Sequence, residues 1–283
     1  MSCEPEKCGT LPACEGCPSN TKEKKKAPPH QSGQEMKQQN IKKVFAVVSG
    51  KGGVGKSSVT GLLAAAARRQ GLSVGVLDAD ITGPSMPRMF GVQGGVLGDG
   101  EHMLPASTVT GIKLISVNLL LEEEDSPVIW RGPILGGVVQ QFWNDVEWGD
   151  LDVLFIDMPP GTGDVPLTVF QSLPVDGIFV VTTPQDLVGM IVRKAVKMAE
   201  MMHIPVLGAV ENMAYALCPD CGKKIYLFGE GETAKQLDAL GLPLLASMPI
   251  RPETARLCDQ GMVEMADAPE IERVVDVVLQ QLK

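Results

Sequence analysis

From Val44 onward, short runs of apolar and largely β-branched residues recur between longer stretches in which apolar side chains return every three or four positions. Val44–Ser49 (VFAVVS), Ser73–Asp78 (SVGVLD), Lys113–Val117 (KLISV), Asp152–Asp157 (DVLFID), Gly177–Thr182 (GIFVVT), Val206–Val210 (VLGAV) and Leu244–Met248 (LLASM) read as strands. Helical patterns lie between several of them, most clearly over Ser58–Arg69 and Val188–Met201. Strands this continuously apolar must be covered on both faces, which predicts an α/β fold with a doubly wound, mostly parallel sheet. Residues 43–283 read as one such domain. At its end, Ile271, Val274, Val275, Val278 and Leu282 fall on one face of a helical tail with mixed charges. That pattern suits a helix docked on its own core better than a basic membrane-binding helix. Residues 1–42 break the pattern: they are polar, carry the run Lys22-Glu23-Lys24-Lys25-Lys26, and hold Cys3, Cys8, Cys14 and Cys17. They read as a small cysteine-rich, metal-binding head on a flexible tether.

The first strand runs into Gly50-Lys51-Gly52-Gly53-Val54-Gly55-Lys56-Ser57, which fits G-x-x-x-x-G-K-[ST]. Strand before and helix after supply the context this motif requires. Its glycines let backbone N–H groups turn inward on phosphates, and the helix N-terminus adds a favourable potential for anions. Lys56 is placed to reach the terminal phosphates and Ser57 to ligate Mg²⁺. Lys51 is a second cation at a position the general motif leaves open. Ligands of open α/β sheets bind at the C-terminal strand ends, and two of these end in acids: Asp78-Ala79-Asp80 and Asp157-Met158-Pro159-Pro160-Gly161-Thr162-Gly163-Asp164. Asp157 is expected to assist Mg²⁺ through a water, Asp80 to orient an attacking water, and the Gly161 N–H to follow the γ-phosphate in the manner of a switch loop. Asp164 is expected to cap the helix that follows it.

Composition narrows the functions. The chain has 283 residues, 44% of them hydrophobic, and a net charge of −9, which disfavours nucleic acid or an anionic membrane as its principal partner. With no apolar leader segment and no run long enough for a membrane span, the expectation is a soluble, cytoplasmic protein. Seven cysteines in such a compartment point to metal or buried thiols, not disulfides. Cys258 stands alone and reads as a buried structural thiol.

The motifs together resemble a known family. Gly-Lys-Gly-Gly-Val-Gly-Lys-Ser is similar to the deviant Walker A loop of the MinD/ParA class of P-loop NTPases, which includes the nitrogenase iron protein. Asp78–Ser85 (DADITGPS), Asp157–Asp164 (DMPPGTGD), Glu211-Asn212-Met213, Cys218-Pro219-Asp220-Cys221-Gly222 and Phe228-Gly229 resemble its Mrp branch, in order and spacing from Val44 to the C-terminus. Members of that branch are ATP-binding scaffolds that carry [4Fe–4S] clusters to apo-proteins. The resemblance implies an ATP site built by residues 50–58 (Ser58 included), Gly161 and Asn212, with Asn212 on the adenine. It implies slow hydrolysis served by Lys51, Lys56 and Asp80, with Lys51 reaching the partner's nucleotide in a homodimer. It also implies a cluster held by Cys218 and Cys221 of both subunits, since two thiolates cannot complete a four-ligand site alone.

By spacing alone, Cys-Pro-Asp-Cys-Gly reads as half of a zinc knuckle, and it is the resemblance that turns the reading to an iron–sulfur cluster. The N-terminal cysteines depart from the C-x13-C-x2-C-x5-C spacing of cytosolic relatives. Cys14 and Cys17 match its C-x2-C part, Glu23 stands where the next cysteine is expected, and Cys3 and Cys8 would have to complete a second cluster; zinc or a redox-labile thiol cluster are the alternatives there. Two other classes stay open: a MinD/ParA-type positioning ATPase with structural zinc at Cys218/Cys221, and an ATP-dependent electron-transfer protein.

Overall fold

Alternation along the first strand gives the sheet two separate cores. In the computed structural model, which describes residues 40–283 apart from 81–82, 84, 95–96, 99–101, 121–131, 162, 185–187 and 231, β1 (Ile41–Ser49) sends Phe45 and Val47 to one face and Val44, Ala46 and Val48 to the other. All five are buried. The strand starts at Ile41, inside the stretch read as linker. The cysteines at 3, 8, 14 and 17 lie outside the described residues.

The chain continues through α1 (Lys56–Arg69), β2 (Val74–Asp78), the short α2 (Met86–Met89), a small hairpin of β3 (Leu97–Gly98) and β4 (Met103–Leu104), β5 (Ala106–Ser107) and β6 (Lys113–Ser116). After α3 (Gly132–Asn144) come β7 (Leu151–Asp157), α4 (Asp164–Ser172), β8 (Gly177–Thr182), α5 (Val188–Met201) and β9 (Val206–Leu217). The remainder is β10 (Lys224–Ile225), α6 (Glu232–Asp238), β11 (Leu244–Ile250), α7 (Pro252–Asp259) and α8 (Glu272–Gln281).

Nine of these strands form one sheet in the order β10-β9-β8-β1-β7-β2-β6-β5, with β11 along the far side of β9. Its long strands pair in parallel, while β5 and β10 pair antiparallel at the margins. The mostly parallel, doubly wound sheet read from the sequence is the observed one. One face is packed by α1, α7 and α8 around Leu63, Phe45, Phe155 and Phe179; the other carries α3, α4 and α5 around Trp148, Phe142 and Ile156. Ile271, Val274, Val275 and Val278 are completely buried in the first core and Leu282 packs at its edge, so the terminal helix docks as its stripe implied.

Two of the boundaries that moved bear on the site. Helix α1 starts at Lys56 and not Ser58, because Gly55 already turns the chain with φ 78°. Strand β9 runs to Leu217 instead of stopping at Val210, because β11 accompanies it as far as Ala216. Between Ser247↔Glu211 and Pro249↔Tyr215 the register slips, with four steps on β9 facing two on β11, and Met213 adopts φ 57° inside this bulge. β8 stops pairing at Glu211; beyond it β9 pairs with β10 on that side. The extension therefore projects past the C-terminal edge of the sheet.

Candidate functional site

The order of strands reverses beside β1 and β7: the chain passes from β1 to β2 on one side and later to β8 on the other. A crevice opens at the C-terminal ends there. A cavity of about 470 Å³ occupies it, walled by the glycine loop, Lys56, Asp80, Arg88 and the α7 residues Ala255, Cys258 and Asp259.

Gly55 explains the loop's tight seat. Besides its left-handed φ, a Cβ built there would lie 2.3 Å from Asn212 Nδ2. The Asn212 amide in turn donates to the Val54 carbonyl at 2.9 Å, so β9 braces the loop directly. The sequence reading assigned Asn212 to adenine; its amide here holds the loop.

Behind the loop, Lys56 is almost fully buried between two carboxylates, 2.7 Å from Asp157 and 3.6 Å from Asp80. Ser57 Oγ donates to Asp157 Oδ2 at 2.6 Å and Thr60 Oγ1 to Asp157 Oδ1 at 2.9 Å. Burial pushes the Asp157 carboxyl upward, opposed by the Lys56 ammonium and the two hydroxyls. The pairing keeps a buried cation from standing uncompensated. Oxygen donors side by side at a strand end, one hydroxyl and one carboxylate, are the donor type a hard cation such as Mg²⁺ takes. Thr60 was missed by the sequence reading. Its signal was position: it lies one helical turn after Lys56 and so faces the same strand end.

Asp78 was named only as a strand end, yet it is more deeply buried than Asp80. Its carboxyl accepts from Ser116 Oγ at 3.0 Å, the Asp80 N–H at 3.2 Å and the Met86 N–H at 3.3 Å. It thereby pins both ends of the segment that carries Asp80. Burial, reinforced by the neighbouring Asp157, pushes the Asp78 carboxyl up to about 8.

The Gly161 N–H donates to the Ser49 carbonyl at 2.8 Å, with φ 95° at Gly161. Ser49 Oγ donates to the Lys51 carbonyl at 3.0 Å, which ties the start of the loop to β1. Gly163, not Asp164, occupies the cap position of α4; Asp164 is its first helical residue, because Gly163 retains an extended backbone. Cys258 is buried on the cavity wall, its thiol pushed up by burial and by Asp259.

Six residues beyond Asn212, the same strand delivers Cys218. The Cys218 N–H donates to the Lys223 carbonyl and the Gly222 N–H to the Cys218 carbonyl, both at 2.9 Å, closing a tight turn with Cys221 exposed on it. Backbone N–H groups of Asp220 and Cys221, and the Cys221 thiol, hold the Cys218 thiol below its usual range. Lowered thiols are better metal ligands. Among the described residues, no cluster of three or more cysteine, histidine or carboxylate side chains forms a complete metal site. The structure thus brings together the glycine loop, Lys56, Asp80 and Asp157 in one crevice, and sets the cysteine pair apart at the end of the strand that braces the loop. No helix among the described residues is long and apolar enough to cross a membrane.

Comparison with known proteins agrees with this architecture. Residues 40–283 match the ParA-type family described as NUBPL iron-transfer P-loop NTPase. An iron–sulfur cluster carrier protein of Clostridium perfringens is 51% identical over 233 residues, covering 80% of this chain and 82% of the relative. One of Methanocaldococcus jannaschii is 39% identical over 283 residues, covering 98% and 97%. Among solved structures, a nucleotide-binding protein from Archaeoglobus fulgidus in complex with ADP superposes with a TM-score of 0.75 at 44% identity, covering 82% of this chain and 91% of that one. The septum site-determining protein MinD of Pyrococcus horikoshii shares the fold, with a TM-score of 0.60 at 20% identity over 84% and 95% of the two chains. The chain belongs to the Mrp/NUBPL family of nucleotide-binding P-loop NTPases, of the ParA/MinD fold class.

Proposed function

We propose that this protein is an ATP-dependent iron–sulfur cluster carrier, in which two copies hold one [4Fe–4S] cluster through Cys218 and Cys221 of each and release it to apo-proteins. The observation that carries the reading is β9 itself: at Asn212 it braces the phosphate loop, and at its end it presents a two-thiol half-site. Relatives of this chain that share 39–51% of its residues are named as iron–sulfur cluster carriers. Two thiolates are half of what a cluster requires, and a two-fold axis supplies the rest.

In this reading residues 50–58 cradle the phosphates, with Lys56 on the terminal ones. Ser57 and Asp157 hold Mg²⁺, which would offset phosphate charge. Asp80 orients the attacking water. Lys51 serves the partner's nucleotide, where a cation gains most in phosphoryl transfer. Asn212 would exchange its bond to Val54 for the adenine, and Gly161 would exchange the Ser49 carbonyl for the γ-phosphate. Both exchanges are local moves that ligand binding can drive only through its preference for one state. A candidate second cluster at Cys3, Cys8, Cys14 and Cys17 belongs to the same reading.

The test is cluster transfer to an apo-ferredoxin under anaerobic conditions. Magnesium and ATP should change the transfer rate by at least about fivefold, the scale of ordinary allosteric coupling. An unchanged rate with a fully loaded donor would reduce the protein to a passive carrier.

A further inference from the structure

The cavity over the glycine loop has a second wall that phosphates do not explain. Its volume of about 470 Å³ falls within the ~300–1,000 Å³ of pockets that enclose a whole small ligand. The glycine loop, Lys56, Ser57 and the strand-end Asp80 line one part of it. Arg88 and Met89 of α2 line another, together with Ala255, Cys258 and Asp259 of α7. Positions 255, 258 and 259 recur at helical spacing, so one stripe of α7 faces the cavity.

This wall is held at a fixed spacing. Gly91, beyond the end of α2, and Gly261, beyond the end of α7, meet backbone to backbone with φ of 65° and 73°. A Cβ at Gly91 would lie 2.7 Å from the Gly261 carbonyl oxygen, and one at Gly261 would lie 2.5 Å from the Gly91 Cα. Neither backbone can give way, so the two glycines set how closely the helices approach. On the wall itself Cys258 is buried and Asp259 is exposed. Among the described residues no salt bridge engages Asp259.

Charge decides what meets the α7 stripe. Asp80 and Asp157 can stand near phosphates because Lys56 lies between them. Asp259 has no such cation in contact, so phosphate oxygens are repelled from it. What remains of a nucleotide is its nucleoside: a base with apolar faces and a ribose with two adjacent hydroxyl donors. We infer that α7 is the nucleoside wall of the site and that Asp259 accepts hydrogen bonds from the ribose hydroxyls. A carboxylate serves the same purpose on the sugar in dinucleotide folds. The inference rests on the reading that the glycine loop holds the phosphates. It makes the protein selective for ribonucleotides through a side chain outside the phosphate-binding motif, and it places the Cys258 thiol beneath the bound nucleoside.

The test measures nucleotide binding to the full chain by calorimetry with magnesium present. ADP should bind at least about tenfold more tightly than 2′,3′-dideoxy-ADP, the loss expected when a carboxylate gives up a hydrogen bond. Asp259→Ala should abolish that preference: ADP weakens to the level of the dideoxy nucleotide, whose own affinity stays within about twofold. A merely structural role would weaken both nucleotides alike and overturn the inference. A wild type that binds the two equally would overturn it too. Cys258 gives an independent readout. Its alkylation by iodoacetamide, followed at that peptide by mass spectrometry, should slow at least about tenfold with saturating ADP and stay unchanged with pyrophosphate alone. Equal labelling with and without bound ADP would put the nucleoside off α7 and overturn the inference, with the phosphate site left standing. If neither ADP nor pyrophosphate binds, the reading of the glycine loop fails and the inference falls with it.

Discussion

Asp78 shows how much a single buried carboxyl can be asked to do. It accepts three hydrogen bonds that fix the Asp80 segment, and it keeps its proton to about pH 8. Its folded pKa lies above the unfolded value of 3.8, so between about pH 4 and pH 8 the folded state holds the extra proton. Stability is therefore lost as pH rises through that window. Asp78→Asn removes the titration and should flatten the decline by about a few kcal/mol, read from urea unfolding across the range; an unchanged slope would mean that another group titrates. Lys51 provides the second residue-scale prediction. Lys51→Ala should lower ATP turnover by roughly 100-fold or more while nucleotide affinity changes little, as removal of a transition-state cation does. Turnover like wild type would remove the trans role. Lys51 was conspicuous in the sequence because the general motif leaves its position open. Asp78 and Thr60 were not, since their importance arises from burial and from partners that are 38 and 97 residues away.

At the level of elements, the strand–loop–helix unit depends on Gly55. A methyl group at this position meets a left-handed backbone and the Asn212 amide at once. Gly55→Ala should cost about 1–2 kcal/mol in strain and weaken ADP binding at least tenfold by calorimetry; binding equal to wild type would show that β9 yields. The terminal helix makes a simpler prediction. Val278 is completely buried against the α1 core, so Val278→Ala should destabilise by about 2 kcal/mol in denaturant unfolding. A negligible loss would mean that α8 does not share the global unfolding unit. Most elements were legible because buried parallel strands announce themselves as unbroken apolar runs, and the α8 stripe declared its docking. The extension of β9 was not: Glu211-Asn212-Met213 interrupts its apolar run, and only pairing with β11 and β10 carries the strand across the bulge to the cysteines.

For the whole molecule, β9 relates two sites that the sequence presented as separate motifs. The phosphate loop contacts this strand at Asn212, and the cysteine turn is its continuation, so a shift at one end has a short covalent path to the other. The crevice was legible from strand-end acids and the glycine loop together. The central claim is that Cys218 and Cys221 of two copies hold one cluster. It is tested most directly by counting iron and sulfide per chain after anaerobic reconstitution, in the full chain and in Cys218→Ala/Cys221→Ala. The account predicts that the double variant loses about two iron atoms per chain, with a matching loss of sulfide. Equal iron and sulfide in the two proteins would contradict it.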